Sequence, residues 1–103
     1  MEEKSVFIEF WGDRPLVRVL GFFLDNYLFD YSKTQIAKAT GLSRVTVHPL
    51  VDKLEEVGVL KLNRVVGRAK MYLLNRKSPI VKRLMDLEDV ILTKMEGKLK
   101  VLA

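Results

Sequence analysis

Residues 32–58 constrain the fold of this chain more than any other segment, because they predict two short helices joined by a tight turn. Ser32 is placed to cap the leading helix of this pair, and Gln35 follows at the spacing of a capping box. Gly41 supplies a left-handed residue that ends the leading helix, and Ser43 is placed to cap the second helix. Such a short turn makes the helices cross steeply, so the second helix projects from the body of the domain.

A β-hairpin is predicted directly after this helix pair. Residues 59–65 are rich in apolar and β-branched side chains, and residues 69–75 form a second such run after a turn at residues 66–68. The arrangement resembles the winged helix-turn-helix family, in which the second helix enters the major groove of DNA and the hairpin is the wing. The resemblance covers residues 15–76 and points to small prokaryotic transcription regulators, archaeal ones among them. The matching residues are Thr34-Gln35-Ile36-Ala37, Gly41-Leu42-Ser43, Val47, residues 54–60 and Gly67-Arg68.

The resemblance implies a mainly α fold with a small antiparallel β-sheet, an α+β fold in which a C-terminal helix follows the wing. The length of 103 residues fits one domain of this kind and not two. We therefore expect a single winged-helix domain over residues 1–103. Residues 13–77 form its helix-turn-helix and wing.

The N-terminal part of the chain, residues 1–12, is predicted to contain a short β-strand. Residues 5–11 alternate between two faces and include β-branched and aromatic side chains, so this strand either extends the wing sheet or pairs across a dimer. Asp13 is placed to cap the first helix of the domain, over residues 14–27. Apolar side chains cover that helix well beyond one face, which indicates a partner surface, most simply a second subunit.

The C-terminal part, residues 78–103, is predicted to form a helix that continues to about Met95 and ends near Gly97, followed by a short tail. Ser78 and Pro79 give the start signal, with serine at the cap and proline in the first helical position. Apolar residues then recur at the spacing of a short coiled-coil seam. These residues are Ile80, Leu84, Leu87 and Ile91. Because the helix offers more apolar positions than one small core needs, dimerisation is favoured over packing within a single chain.

Positive charge is concentrated in the segment that holds the predicted helix-turn-helix and wing. The whole chain has a net charge of +5. Residues 1–31 carry a net charge of −3, residues 32–77 carry +7 and residues 78–103 carry +1. A positive field focused on one segment is the electrostatic footprint of a nucleic-acid-binding face. Lysines and arginines that only keep a small domain soluble do not explain this segregation.

The start of the second helix carries the residues that we expect to contact bases, because the first turns of a recognition helix lie deepest in the groove. Arg44 is the strongest candidate, since its guanidinium group can donate to O6 and N7 of one guanine. Thr46 and His48 are candidates for hydrogen bonds to bases or for contact with a thymine methyl group. Ser43 suits a phosphate contact, and Lys53 lies a turn further along the helix than this group. The alternative for His48 is a solvent-facing residue with no special role.

Pro49 lies inside this second helix, where it has no amide hydrogen to donate to the carbonyl group of Val45. It predicts a kink or a tighter first turn, and a larger share of phosphate contacts than is typical of the family. In the wing, cations cluster around the Gly67 turn and are candidates for phosphate or minor-groove contacts, with Arg68 at the tip as the first choice. With Lys33 of the leading helix, these candidates are Lys61, Arg64, Arg68 and Lys70.

Several function classes are excluded by what the sequence lacks. There is no cysteine, which removes disulfides, thiolate zinc sites and cysteine nucleophiles, and one histidine does not make a metal site. The sequence contains no phosphate-binding glycine-rich loop or known catalytic motif, so we expect neither an enzyme nor a cofactor. No apolar run approaches the length of a membrane span, and the acidic start is wrong for a signal peptide. The expected location is the cytoplasm, without a membrane partner.

These features predict a sequence-specific, double-stranded DNA-binding transcription regulator. It acts as a homodimer through the C-terminal helix and the first helix of the domain, with the second helix of the pair in the major groove. Two alternatives remain open. One is a winged-helix module for protein–protein interaction, which the apolar run at residues 49–51 favours. The other is a non-specific architectural DNA binder that contacts phosphates alone.

Overall fold

The structure, a computed structural model, describes residues 6–102, with side chains for residues 7–95. Over these residues the chain forms five helices and one two-stranded antiparallel sheet. In chain order the elements are α1 (Val6–Trp11), α2 (Pro15–Asp25), α3 (Lys33–Thr40), α4 (Arg44–Glu56), β1 (Leu60–Val66), β2 (Ala69–Leu74) and α5 (Pro79–Leu102). The fold is the predicted one, mainly α with a small antiparallel sheet and a C-terminal helix.

The turn between α3 and α4 is built by the predicted local signals. The Ser32 hydroxyl accepts from the Gln35 amide at 3.2 Å, and the Ser32 amide donates to Gln35 Oε1 at 2.9 Å, which completes a capping box. Gly41 ends α3 with a φ of 72°. The Ser43 hydroxyl then caps α4 by accepting from the Thr46 amide at 3.2 Å. Each such cap stabilises a helix by about 1 kcal/mol, so the position of this turn is fixed locally.

The start of α2 differs from the prediction that Asp13 caps it. Arg14 occupies the cap position of α2 and makes no side-chain cap bond, and the helix ends at Asp25. Asp13 instead accepts from the Arg18 guanidinium, with Nη2 2.8 Å from Oδ2. Arg18 Nη1 also donates to the carbonyl of Thr40 at 2.9 Å. Asp13 thus lies one residue before the cap position and pairs with Arg18. The same arginine also joins α2 to the end of α3.

The wing is a hairpin whose strands pair from Leu60 and Leu74 up to the turn at Gly67. The pairing shifts by one residue beside Leu62, which is a β-bulge. A third short pairing comes from Tyr31, which exchanges two backbone hydrogen bonds of 2.8 Å with Tyr72 of β2. Tyr31, which precedes the cap of α3, therefore extends this sheet, and residues 6–11 do not.

One apolar core joins all five helices and both strands. Its largest completely buried side chains come from six of these elements. They are Val19, Phe23, Ile36, Val47, Val51, Leu60, Leu74 and Val81. The inner face of α4 is thereby fixed in the core, and its opposite face is directed to solvent.

The predicted N-terminal strand is wrong for the residues that the structure describes, because residues 6–11 form the helix α1. Residues 1–5 of that predicted segment lie outside the described residues. Phe7 and Trp11, one helical turn apart, both line an apolar cavity of about 310 Å³ between α1, α2 and α5. The alternating faces of this segment are both largely apolar and give no contrast of period two, so packing on the neighbouring helices decides its conformation.

The predicted start of α5 is confirmed, and its predicted end is not. The Ser78 hydroxyl accepts from the amides of Ile80 and Val81 at 3.2 and 3.4 Å. The helix continues through Gly97 to Leu102, because a single helical glycine is unfavourable by only about 1 kcal/mol. Ala103 lies outside the described residues. Within the described range, no helix combines the length and the apolar character needed to cross a membrane.

Candidate nucleic-acid interface

The outer surface of α4 and the wing are neighbours. Val47, Val51 and Leu54 hold the inner face of α4 in the core. On the outer face, the pKa of the Asp52 carboxyl is lowered by a hydrogen bond from Lys33 and, more weakly, by the charge of Lys70 on β2. α4 packs against β1 of the wing, so the exposed side of α4 and the wing are adjacent parts of one surface.

Pro49 lies within α4, which continues through it to Glu56. The first turn of the helix is tight, since the amides of Thr46 and Val47 both donate to the carbonyl of Ser43, at 3.1 and 3.0 Å. A tight first turn is one of the two features that Pro49 predicts for this helix. The carbonyl of Val45 loses the donor that any other residue at position 49 would supply.

Lys33, His48 and Asp52 form a closed cluster on α3 and α4. Lys33 Nζ lies 2.7 Å from His48 Nδ1 and donates to Asp52 Oδ1 at 2.8 Å. His48 Nε2 lies 3.3 Å from Asp52 Oδ2. The carboxylate of Asp52 is thus held by Lys33 and lies beside the imidazole of His48. Only 15% of the Lys33 side chain is exposed.

Arg64 is also engaged within the chain. Its Nε and Nη2 donate to the two carboxylate oxygens of Asp30 at 2.7 and 3.2 Å, and Asn63 Nδ2 donates to the same carboxylate at 2.9 Å. Hydrogen bonds from Arg64 and Asn63 lower the pKa of Asp30 to about 2. The Asp30 side chain is 10% exposed, whereas that of Arg64 is 61% exposed. This pair fastens the wing to the segment before α3.

The remaining predicted cations are exposed and form no internal ion pair among the described residues. Within the described part of the chain, no hydrogen bond or ion pair is made by the side chains of Arg44, Lys53, Lys61 and Arg68. Lys70 is exposed as well and acts on Asp52 only through its charge. Five positive groups on α4 and the wing are thus available to an anionic partner.

The polar groups at the start of α4 are turned toward each other. The Ser43 hydroxyl donates to Thr46 Oγ1 at 3.0 Å while it accepts from the Thr46 amide. The most exposed large apolar side chain at the start of α4 is Val45, which is 85% exposed and which sequence reasoning did not single out. Its position three residues before His48 on an outward face was the only sequence signal for it. No cluster of three or more metal-ligating side chains occurs among the described residues.

Solved structures of DNA-associated proteins have similar folds. MepR, a transcription regulator of the Staphylococcus aureus multidrug efflux pump MepA, is 21% identical with a TM-score of 0.69, covering 87% of this chain and 64% of MepR. The ferric uptake regulator from Francisella tularensis is 24% identical with a TM-score of 0.55, covering 63% of this chain and 53% of that protein. Sso10a-2, a DNA-binding protein from Sulfolobus solfataricus, is 17% identical with a TM-score of 0.51, covering 84% of this chain and 94% of that protein.

These similarities show the winged helix-turn-helix fold, as the caps, turn and hairpin predicted. The chain spans 64% of the length of MepR and 53% of the ferric uptake regulator. No protein-family profile and no curated protein sequence matches the chain.

Proposed function

We propose that this protein is a sequence-specific transcription regulator that binds double-stranded DNA as a homodimer. α4 enters the major groove, and the wing contacts the backbone or the minor groove. The observation that carries the proposal is the net charge of +7 on residues 32–77, much of it on side chains that the fold leaves exposed and unpaired. Structural similarity to transcription regulators and to a DNA-binding protein supports it. The activity is binding and not catalysis.

The cations divide into three roles in this proposal. Arg44, at the first position of α4, reads a base edge, and Lys53 follows it along the groove. The free amides at the start of α4, beside Ser43, bind a phosphate oxygen. Lys61, Arg68 and Lys70 of the wing contact phosphates or the minor groove. Lys33, His48 and Arg64 hold α4 and the wing in position through their internal partners, and their exposed edges add to the contact.

The homodimer is proposed from apolar side chains that the single chain leaves in solvent. On α5, Ile80 and Val90 are 46% and 55% exposed, and near the start of the chain Phe10 and Trp11 are 56% and 53% exposed. Exposed apolar side chains that group together on a surface mark association sites. A two-fold dimer binds half-sites about one helical turn, roughly 10 bp, apart. Light scattering at micromolar concentration tests this, and a monomer there would count against the dimer.

The test of DNA binding is a salt series on two duplexes of equal length, one selected from a random pool and one unselected. We expect affinity for both to fall steeply with salt, because several phosphate contacts release counterions. Arg68→Ala should weaken both and lower the salt slope by about one. Arg83→Ala removes an exposed arginine of α5 outside the basic segment and is the matched control, with an unchanged slope.

The outcomes separate the three functions. If no duplex binds even at low salt, DNA is not the partner and the protein-interaction alternative gains support. If the selected duplex binds no tighter than the unselected one, the protein is an architectural binder. Arg44→Ala should relax preference at one base pair by about 1–3 kcal/mol while it leaves other positions unchanged. Should Arg44→Ala and Arg68→Ala behave alike, the division between base-reading and backbone-contacting residues is wrong.

A further inference from the structure

We propose that Val45 and Pro49 form an apolar ridge on α4 that packs against the 5-methyl groups of thymine bases. Target sites are then defined by thymines at set positions, in addition to any guanine that Arg44 reads. This inference rests on the proposed function, and it names the bases that the recognition helix selects.

The ridge lies at the centre of the outer face of α4. Val45 and Pro49 are four residues apart, one helical turn, and are neighbours on the helix surface. The buried residues Val47, Val51 and Leu54 lie on the opposite side of the helix. Val45 is 85% exposed, the highest value among the exposed large apolar side chains of the described residues, and Pro49 is exposed beside it. The fold of the single chain gives Val45 almost no apolar contact.

Polar side chains next to the ridge already have partners. The Thr46 hydroxyl is bonded to the Ser43 hydroxyl at 3.0 Å. Both ring nitrogens of His48 face partners, with Nδ1 2.7 Å from Lys33 Nζ and Nε2 3.3 Å from Asp52. The hydroxyl of Thr46 and the ring of His48, which is 64% exposed, thus already have partners within the chain, whereas the ridge itself is apolar. What α4 presents there is an apolar surface.

Charge around the ridge favours DNA over an apolar protein partner. Arg44 precedes the ridge and Lys53 follows it, and both are exposed without an internal ion pair in the described part of the chain. An apolar strip between two cations matches the major groove, where phosphates border the base edges. Thymine presents there a methyl group that cytosine lacks. Burial of one methyl-sized group is worth about 0.8 kcal/mol, or about fourfold in affinity.

The experiment replaces thymine by uracil, which removes only the 5-methyl group and keeps base pairing. A duplex selected from a random pool is synthesised with deoxyuridine at each thymine position in turn, and with deoxyuridine in the flanks as a DNA control. We expect about fourfold weaker binding at one or two positions per half-site and no change for the flanks. Val45→Ala should bind the unmodified duplex more weakly and should lose this penalty. Alanine at this exposed position does not destabilise the helix.

Two further variants distinguish the loss of the ridge from a loss of folding. Val57→Ala shortens a valine that is 49% exposed at the other end of α4 and should retain the full deoxyuridine penalty. Pro49→Ala restores an amide donor to the carbonyl of Val45, so it strengthens the helix while it removes the ring from the ridge. It should also reduce the penalty. Equal binding of uracil and thymine duplexes, or the same penalty in Val45→Ala as in the unaltered protein, overturns the ridge alone. Failure of every duplex to bind overturns the proposed function with it.

Discussion

Two isoleucines show how differently two regions of this molecule are packed. Ile36 in α3 is completely buried within the central region, which comprises α2 to β2. Ile80 in α5 is 46% exposed, and it belongs to the terminal helices α1 and α5. Seven of the eight largest completely buried side chains belong to the central region and the eighth, Val81, belongs to α5, while both regions leave some large apolar side chains in solvent, Val45 and Ile80 among them. The central region therefore holds most of the core, and the homodimer that we propose joins the terminal helices of two copies.

Polar groups show the same contrast. In the central region the buried side chain of Asp30 is matched by the guanidinium group of Arg64 and the amide of Asn63. In α5, Glu88 Oε2 is buried and has no hydrogen-bond partner among the described residues. Burial, together with the charges of Asp25 and Asp89, raises the pKa of Glu88. One carboxylate therefore stabilises its region at neutral pH, and the other destabilises its own.

The largest effect is expected from shortening the two isoleucines to alanine. Ile36→Ala opens a cavity in a closed core and should lower the free energy of unfolding by about 3 kcal/mol. Ile80→Ala should lower it by less than about 1 kcal/mol for the single chain, because nearly half of the side chain is already in solvent. Urea unfolding at several protein concentrations measures both. The stability lost in Ile36→Ala should be the same at every protein concentration. The stability lost in Ile80→Ala should increase as the fraction of dimer increases. Equal, concentration-independent losses would remove the distinction between the regions.

Sequence predicted the central region well because its signals are local. The caps Ser32 and Ser43 act on amides three residues away, and Gly41 acts at its own position. The terminal helices have fewer such signals, and the Ser78 cap fixes only the start of α5. The apolar side chains of residues 6–11 fit the period of a strand as well as that of a helix. Contacts with α2 and α5 stabilise the helix. The helical signals of α5 outweigh Gly97, which was expected to end it.

The sequence predicts where the candidate site lies and does not predict how its side chains are paired. The charge count placed it on α4 and the wing. It did not reveal which cations are already paired, because those pairs join distant residues: Lys33 and Asp52 are 19 positions apart, and Arg64 and Asp30 are 34 apart. No helical or strand period relates residues at such separations. The exposure of Val45 was hidden for a related reason, since valine is usually a core residue and only the orientation of α4 directs it outward.

Glu88→Gln in the terminal region is expected to stabilise the protein, by less than Ile36→Ala destabilises it. A neutral amide removes the unsatisfied buried charge and should raise the free energy of unfolding by about 1 kcal/mol at neutral pH. The gain should disappear in acid, where Glu88 itself is protonated, because its raised pKa means that the folded state favours the neutral form. Asp86→Asn changes an exposed carboxylate of the same helix and is the control, with little effect. A loss of stability in Glu88→Gln would show that a partner for this carboxylate exists.

The smallest effect should come from Asp30→Asn, and its pH dependence should run the other way. Hydrogen bonds from Arg64 and Asn63 hold the pKa of Asp30 at about 2, below its usual value of 3.8. The ionised carboxylate therefore stabilises the folded state above pH 4, and this contribution is lost as the pH falls from about 4 to about 2. Asp30→Asn should be less stable than the unaltered protein at neutral pH and equally stable near pH 2, as measured by urea unfolding at each pH. In the same series the Glu88→Gln difference should be positive. If both differences had the same sign at neutral pH, the contrast between a matched central carboxylate and an unmatched terminal one would not hold.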